Sequence, residues 1–241
     1  MLYNVFGHFG NKNFPLGRFR PQSQNNQINM SQPKEVTPAG FAFRLLVATG
    51  NRGKVRELCE LLADVPVELV SLCDFPDLKE IAETESTFRG NAELKASGYA
   101  RQAGMWTLAD DSGLEVDALG GEPGVYSARF AGAGSSYETK MAELLSRIEK
   151  AKNLDRRARF VCAMAIAGPD GNVRFTTEGR CEGAVAESPR GTRGFGYDPI
   201  FVPDGFDHTF GELPGDIKQQ ISHRGRATRE IIRYLLDFIV V

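Results

Sequence analysis

Residues 157–185 read "RARFVCAMAIAGPDGNVRFTTEGRCEGAV". Two strand-like runs flank "GPDGN", a strong hairpin signal, so this part of the chain pairs with itself as a long hairpin. The chain before it alternates instead. Leu45 to Ala48 form a short apolar run. Gly50 and Gly53 then lead into Val55, Leu58 and Leu62, whose spacing marks one face of a helix. "PVELVSL" reads as a second strand. "STFRGNAELKASGYARQAG" reads as a helix with Ser86 or Thr87 as N-cap and Gly104 as its stop. "MWTLADD" predicts a strand ending at Asp110 and Asp111. "SSYETKMAELLSRIEKA" predicts an amphipathic helix capped near Ser135 or Ser136, and the closing "SHRGRATREIIRYLLDFIVV" carries a helical stripe through Ile231 and Leu235. Alternation followed by a hairpin implies an α/β fold with a mixed sheet flanked by helices. Neither a repeat nor a linker interrupts the chain between Phe43 and its end.

A chain of 241 residues suits one large α/β domain or two small ones. Lys and Arg number 29 against 31 Asp and Glu, a formal net charge of -2. No global basic field draws it to nucleic acid, so any anion must be held by local clusters. The four cysteines, Cys59, Cys73, Cys162 and Cys181, form no C-x-x-C pair. Their spacing argues against structural zinc or a disulfide framework, and for free thiols in a reducing, cytoplasmic setting. No apolar run approaches membrane-spanning length. Residues 1–34 contain no Asp or Glu and are crowded with Asn and Gln. They lack the apolar stretch of a secretory signal. The expectation for residues 1–43 is a disordered extension, or a reading frame begun upstream of Met30. A transit peptide is the third choice. The domain is expected over 44–241.

Several short segments can carry chemistry, and each has a plain alternative. In "TGNRGK", glycines lead a strand into a helix N-terminus, whose N–H groups suit an anion, with Arg52 and Lys54 beside it. The alternative is an ordinary turn with surface cations. Only two residues separate Gly50 and Gly53, so this is not a Walker A loop. Asn91 and Lys95 fall on the apolar stripe of their helix, which fits a helix bordering a polar cleft. Alternatively, Lys95 snorkels to solvent. Asp110 and Asp111 repel unless water, hydrogen bonds or a cation offsets the charge. The plain alternative is that "DDSG" is a solvated turn. Strand alternation gives the two different roles, one on metal or water and the other in support. "GFGYDP" sets Phe195 and Tyr197 between glycines, either to stack on a base or to stiffen a loop. Lys218, His223 and Arg224 gather near a helix start capped by Ser222, where cations oppose the macrodipole. They hold an anion or purine there, or form a surface patch. Together the segments fit a nucleoside polyphosphate with a divalent ion.

The ordered segments "TGNRGKVREL", "ETESTFRGNAELKA", "ADDSGLEVDALGGEPGVYSARFAG", "GFGYDPIF" and "ISHRGRA" closely resemble the inosine triphosphate pyrophosphatase family over roughly residues 44–236. The resemblance implies hydrolysis of the deaminated purine triphosphates ITP, dITP and XTP to monophosphate and pyrophosphate, with Mg²⁺ as cofactor. It implies an elongated α/β structure of two lobes with a cleft between them, usually a homodimer. By position, Thr49, Gly50, Asn51, Arg52, Gly53 and Lys54 hold the triphosphate. Glu83 and Asp111 bind Mg²⁺, and Asp111 is also the base toward water. Lys54 and Lys95 stabilise phosphate oxygens. Ser112 touches substrate, while Phe195, Gly196, Tyr197, Asp198, Lys218, His223 and Arg224 hold the base and its flanking groups. Glu85, Ser86, Glu122 and Gly211 depart from the family pattern, which touches loop geometry and no catalytic group. Competing expectations are the same reaction on another modified base, and a nucleotide-binding sensor without turnover.

Overall fold

A computed structural model describes residues 42–240, apart from 133, 152 and 154. The expected extension over residues 1–43 therefore lies, but for its last two residues, outside the described residues. The elements are β1 (Arg44–Val47), α1 (Arg52–Leu61), β2 (Glu68–Ser71), α2 (Phe88–Ala103), β3 (Trp106–Val116), α3 (Tyr137–Lys150), β4 (Arg157–Ala167), β5 (Val173–Val185), β6 (Phe201–Pro203), α4 (Gly215–Ile221) and α5 (His223–Val240), with short 3-10 turns between some of them. They form a mixed six-stranded sheet in the order β2-β1-β3-β4-β5-β6. β1 runs parallel to β2 and β3, and every later pairing is antiparallel.

Local chemistry explains most element ends. Thr87 caps α2 by accepting from the Gly90 N–H, and Ser136 caps α3 by accepting from Thr139. The hairpin occupies residues 157–185, its turn closed by Gly171 N donating to the Gly168 carbonyl at 2.8 Å. One expectation is corrected. β3 does not end at the paired aspartates but runs eleven residues to Val116. β4 supplies an antiparallel partner along Thr107–Val116, so "DDSG" is mid-strand and not a turn.

The alternation of β3 sorts its side chains between two cores. Leu108 packs with Leu58 and Leu62 of α1 and Ile231 and Leu235 of α5. Ala109 packs on the other face with Phe88, Ala92 and Ala96 of α2. A third cluster joins α3 to the far ends of β3, β4 and β5 through Leu114, Leu144, Phe160 and Phe201. α1, between β1 and β2, and α2, between β2 and β3, thus cover opposite faces, and the sheet order β2-β1-β3 makes the carboxyl ends of the adjacent strands β1 and β3 a topological switch point, the usual place for a ligand in an open α/β sheet. Among the described residues, no helix is long and apolar enough to cross a membrane.

Candidate active site

A cavity of about 610 Å³ opens at that switch point. Of the residues assigned to a site from the sequence, all but Arg52 and Gly53 line it. Arg52 is exposed. Gly53 lies beneath the ring of Phe195, where an added Cβ would come within 2.7 Å of ring carbons. Only glycine permits that approach.

The loop after β1 is less open to an anion than the sequence implied. Asn51 caps α1, and its Oδ1 accepts from Gly53 N at 2.9 Å and Lys54 N at 3.3 Å. Two of the N–H groups expected to face a phosphate therefore already have a partner. The Lys54 ammonium reaches the Asp110 carboxylate at 3.1 Å.

Asp110 and Asp111 point to opposite faces of β3, as strand geometry requires. Asp110 is buried among Lys54, Arg224 and the Cys162 thiol. Burial alone would raise its pKa, but Lys54, Arg224 and Lys95 outweigh it and hold the carboxyl well below the usual range. Asp111 faces α2. Its Oδ2 accepts from Asn91 Nδ2 at 3.1 Å, and Lys95 Nζ lies 3.6 Å from its Oδ1. Burial lifts the Asp111 carboxyl against the pull of Lys95 and Lys54, and the Glu83 charge adds to the lift. Lys95 also pairs with Glu83 at 2.5 Å. Burial would favour loss of its proton, but Asp111, Asp110 and Glu83 keep it charged. Asn91, awkward on an apolar stripe, ties the segment carrying Glu83 to Asp111, because its Oδ1 also accepts from Glu85 N at 2.9 Å.

Glu83 and Asp111 therefore bring carboxylate oxygens together around one ammonium. Two carboxylates, with the other positions left to water and phosphate, is the ligation Mg²⁺ takes. Among the described residues no group of three or more His, Cys, Asp or Glu side chains forms an all-protein cage. The residues fit a hard divalent ion held jointly with a bound phosphate.

The opposite wall is cationic and aromatic. Glu57 on α1, which the sequence reading passed over, joins Lys218 Nζ at 2.7 Å to Arg224 Nη1 at 2.6 Å. Its only sequence signal is its place one turn beyond Lys54 on the same helix. Arg224 also meets Asp110 at 3.1 Å and donates to Ser112 Oγ at 2.9 Å. Its charge at the α5 N-terminus is thus offset by two carboxylates, which resolves the clash with the helix dipole. Asp198 Oδ2 accepts from Lys218 Nζ at 2.5 Å and from Phe195 N at 2.7 Å, and so fixes the aromatic loop. Tyr197 is not free to swing onto a base: its hydroxyl donates to the Ser127 carbonyl at 3.0 Å and its ring meets Tyr137 edge-on. Tyr137 lines the cavity and was also missed from the sequence. His223 is buried and stacks on Phe160 with centroids 4.6 Å apart. Burial, with Arg224 and Lys218 nearby, depresses its pKa far enough to keep it neutral at pH 7. Its buried Nδ1 has no partner among the described residues.

The sequence model of the Ham1 family matches residues 45–234. A dITP/XTP pyrophosphatase of Geobacter sulfurreducens is 50% identical over 184 residues, covering 76% of this chain and 92% of that protein. One from Bacillus anthracis is 47% identical over 189 residues, covering 78% of this chain and 94% of that protein. Among solved structures, a HAM1 protein from Coxiella burnetii aligns with a TM-score of 0.75 at 37% identity, covering 81% of this chain and 99% of that one. The nucleoside-triphosphatase / dITP/XTP pyrophosphatase of Mycobacterium abscessus aligns with a TM-score of 0.64 at 43% identity, covering 78% and 98%.

Proposed function

The chain belongs to the Ham1 family, and from that premise we propose that it hydrolyses deaminated purine nucleoside triphosphates, ITP, dITP and XTP, to the monophosphate and pyrophosphate. The observation that carries this reading is one cavity that joins a helix N-terminus, two carboxylates gathered on Lys95, and an aromatic loop backed by Lys218, His223 and Arg224. A sensor would need the cations and aromatics but has no use for a positioned carboxylate base.

The phosphate chain lies along Thr49, Gly50, Asn51, Lys54 and Lys95, and the base lies toward the aromatic loop. Glu83 and Asp111 would hold Mg²⁺, which would supply positive charge against the phosphate oxygens. Asp111 accepts a proton from the attacking water at a carboxylate oxygen. Lys95 keeps its proton and offers it as a hydrogen bond to phosphate oxygens that gain charge. A neutral His223 presents an imidazole that hydrogen-bonds without adding a cation to the pocket. The homodimer and the cytoplasmic location are parts of the same proposal, checked by light scattering and by fractionation.

The deciding experiment is pyrophosphate release from ITP, dITP, XTP, GTP and ATP with Mg²⁺. The reading expects kcat/KM for the first three far above that for ATP, since a site built on buried hydrogen bonds rejects a mismatched base by roughly 10⁴–10⁵. Equal values for ITP and ATP would reject it.

A further inference from the structure

Among the described residues, five cationic side chains line the cavity: Lys54, Lys95, Arg129, Lys218 and Arg224. Four are firmly paired. Lys54 has Asp110 at 3.1 Å, Lys95 has Glu83 at 2.5 Å, Lys218 has Asp198 at 2.5 Å and Arg224 has Glu57 at 2.6 Å. Arg129 differs. Among the described residues its one ion-pair contact is with Glu83 at 3.9 Å, and its side chain is 45% exposed. It is the cation on this wall that can turn to a new anion without giving up a close ion pair.

Its backbone, in contrast, is anchored. Two residues earlier, buried Ser127 accepts from Leu114 N of β3 at 2.9 Å and donates to the Gly124 carbonyl at 2.7 Å. Gly113 admits this packing, because a Cβ there would meet Gly124 O and Ser127 Oγ within 2.5 Å. Tyr197 of the aromatic loop bonds the Ser127 carbonyl, and Arg129 N closes a turn on Tyr126 O at 2.9 Å. The guanidinium lies over the exposed Tyr126 ring, 4.9 Å from its centroid, which extends it along the rim beside Glu83. A planar fork with no close ion pair among the described residues, on an anchored turn beside Glu83, suits a polyphosphate terminus.

We propose that Arg129 is a further substrate-binding residue, one that grips the terminal phosphates of the triphosphate and retains the pyrophosphate after cleavage. The assignment rests on the pyrophosphatase reading for its substrate. It separates the two ends of the cavity: Arg129 senses chain length, and the aromatic wall senses the base.

The test uses Arg129→Ala and Arg129→Lys in the full chain, with three probes besides turnover of ITP. These are binding of inorganic tripolyphosphate and of pyrophosphate with Mg²⁺, and binding of IMP, each by calorimetry. Charge-assisted hydrogen bonds to one guanidinium predict a loss of about 10- to 100-fold in tripolyphosphate affinity and in kcat/KM for ITP in the alanine variant. Pyrophosphate affinity should also fall, IMP affinity should stay within about twofold, and lysine should restore part of the loss. Tripolyphosphate affinity within twofold of wild type overturns the proposal. So does an equal loss for IMP, which would place the effect at the nucleoside end or in the fold. If the wild-type chain releases no pyrophosphate from any triphosphate, the functional reading fails, while tripolyphosphate binding still reports on Arg129.

Discussion

Two adjacent aspartates on one strand have opposite roles because their side chains leave it on opposite faces. Asp110 neutralises Lys54 and Arg224 inside the protein, whereas Asp111 meets Lys95 and Asn91 at the cavity. Asp111→Asn should keep the fold and lose turnover by at least the roughly 10²–10⁴ typical of a missing general base. Asp110→Asn leaves two buried cations short of a partner, so it should lower stability by about 3–5 kcal/mol. Urea unfolding and steady-state rates on both variants separate the two; similar stability losses would contradict the division. His223 gives a pH prediction at the same scale. Its native pKa lies below its unfolded value, so the unfolded state binds more protons below about pH 6.5. Stability is therefore full above that pH and falls as the pH drops toward the native value. In His223→Phe the stack on Phe160 can persist without a titrating group. The variant should lose less stability than wild type between pH 7 and 5, the gap growing by up to about 1.4 kcal/mol per pH unit. Carboxylates common to both proteins cancel in this comparison, and parallel pH curves would show that His223 does not carry the effect.

At the scale of elements, the cap of α1 is also part of the site. Asn51 satisfies the Gly53 and Lys54 N–H groups and lines the cavity. Asn51→Ala should destabilise by about 1 kcal/mol, the usual loss of an N-cap. It should also raise KM, because the loop that presents Lys54 loses its tie. An unchanged KM in a folded variant would leave Asn51 as a cap only. This cap was not foreseen, although the helix behind it was. It is as local as the other caps, with partners two and three residues on, but the glycines around it pointed to an open phosphate loop. Elsewhere the range of the interactions decides what is legible. The caps at Thr87 and Ser136 and the hairpin over 157–185 depend on residues a few positions apart, so they are legible in the sequence. The length of β3 depends on β4, which is far along the chain, and so "MWTLADD" reads as ending where the strand in fact continues. Glu57 was invisible for the same reason: its partners Lys218 and Arg224 are 161 and 167 residues away. Glu83, Lys95 and Asp111 were named from the resemblance, whereas periodicity alone marked only the oddity of Asn91 and Lys95 on an apolar stripe.

The domain's three cores can be followed within the described residues. Within the described chain, its three buried clusters draw on residues from Phe43 to Ile239, and both faces of the sheet are covered by α1, α2 and α5. The Ham1 match begins at residue 45. The sequence before it has no acidic residue up to Lys34 and no regular apolar period that would lay a helix or strand against the domain. We read a terminal segment without such a period as standing apart from the domain. Removing residues 1–41 should therefore change stability by less than about 0.5 kcal/mol, as surface changes usually do. In a chain of this size that moves Tm by less than about 2 °C. The kcat/KM for ITP should stay within twofold, since every residue placed at the cavity lies beyond residue 47. Thermal melts and initial rates on the truncated and full chains measure both. A drop in Tm of more than about 5 °C would mean that the segment packs on the domain, and a loss of rate at unchanged Tm would mean that it reaches the site.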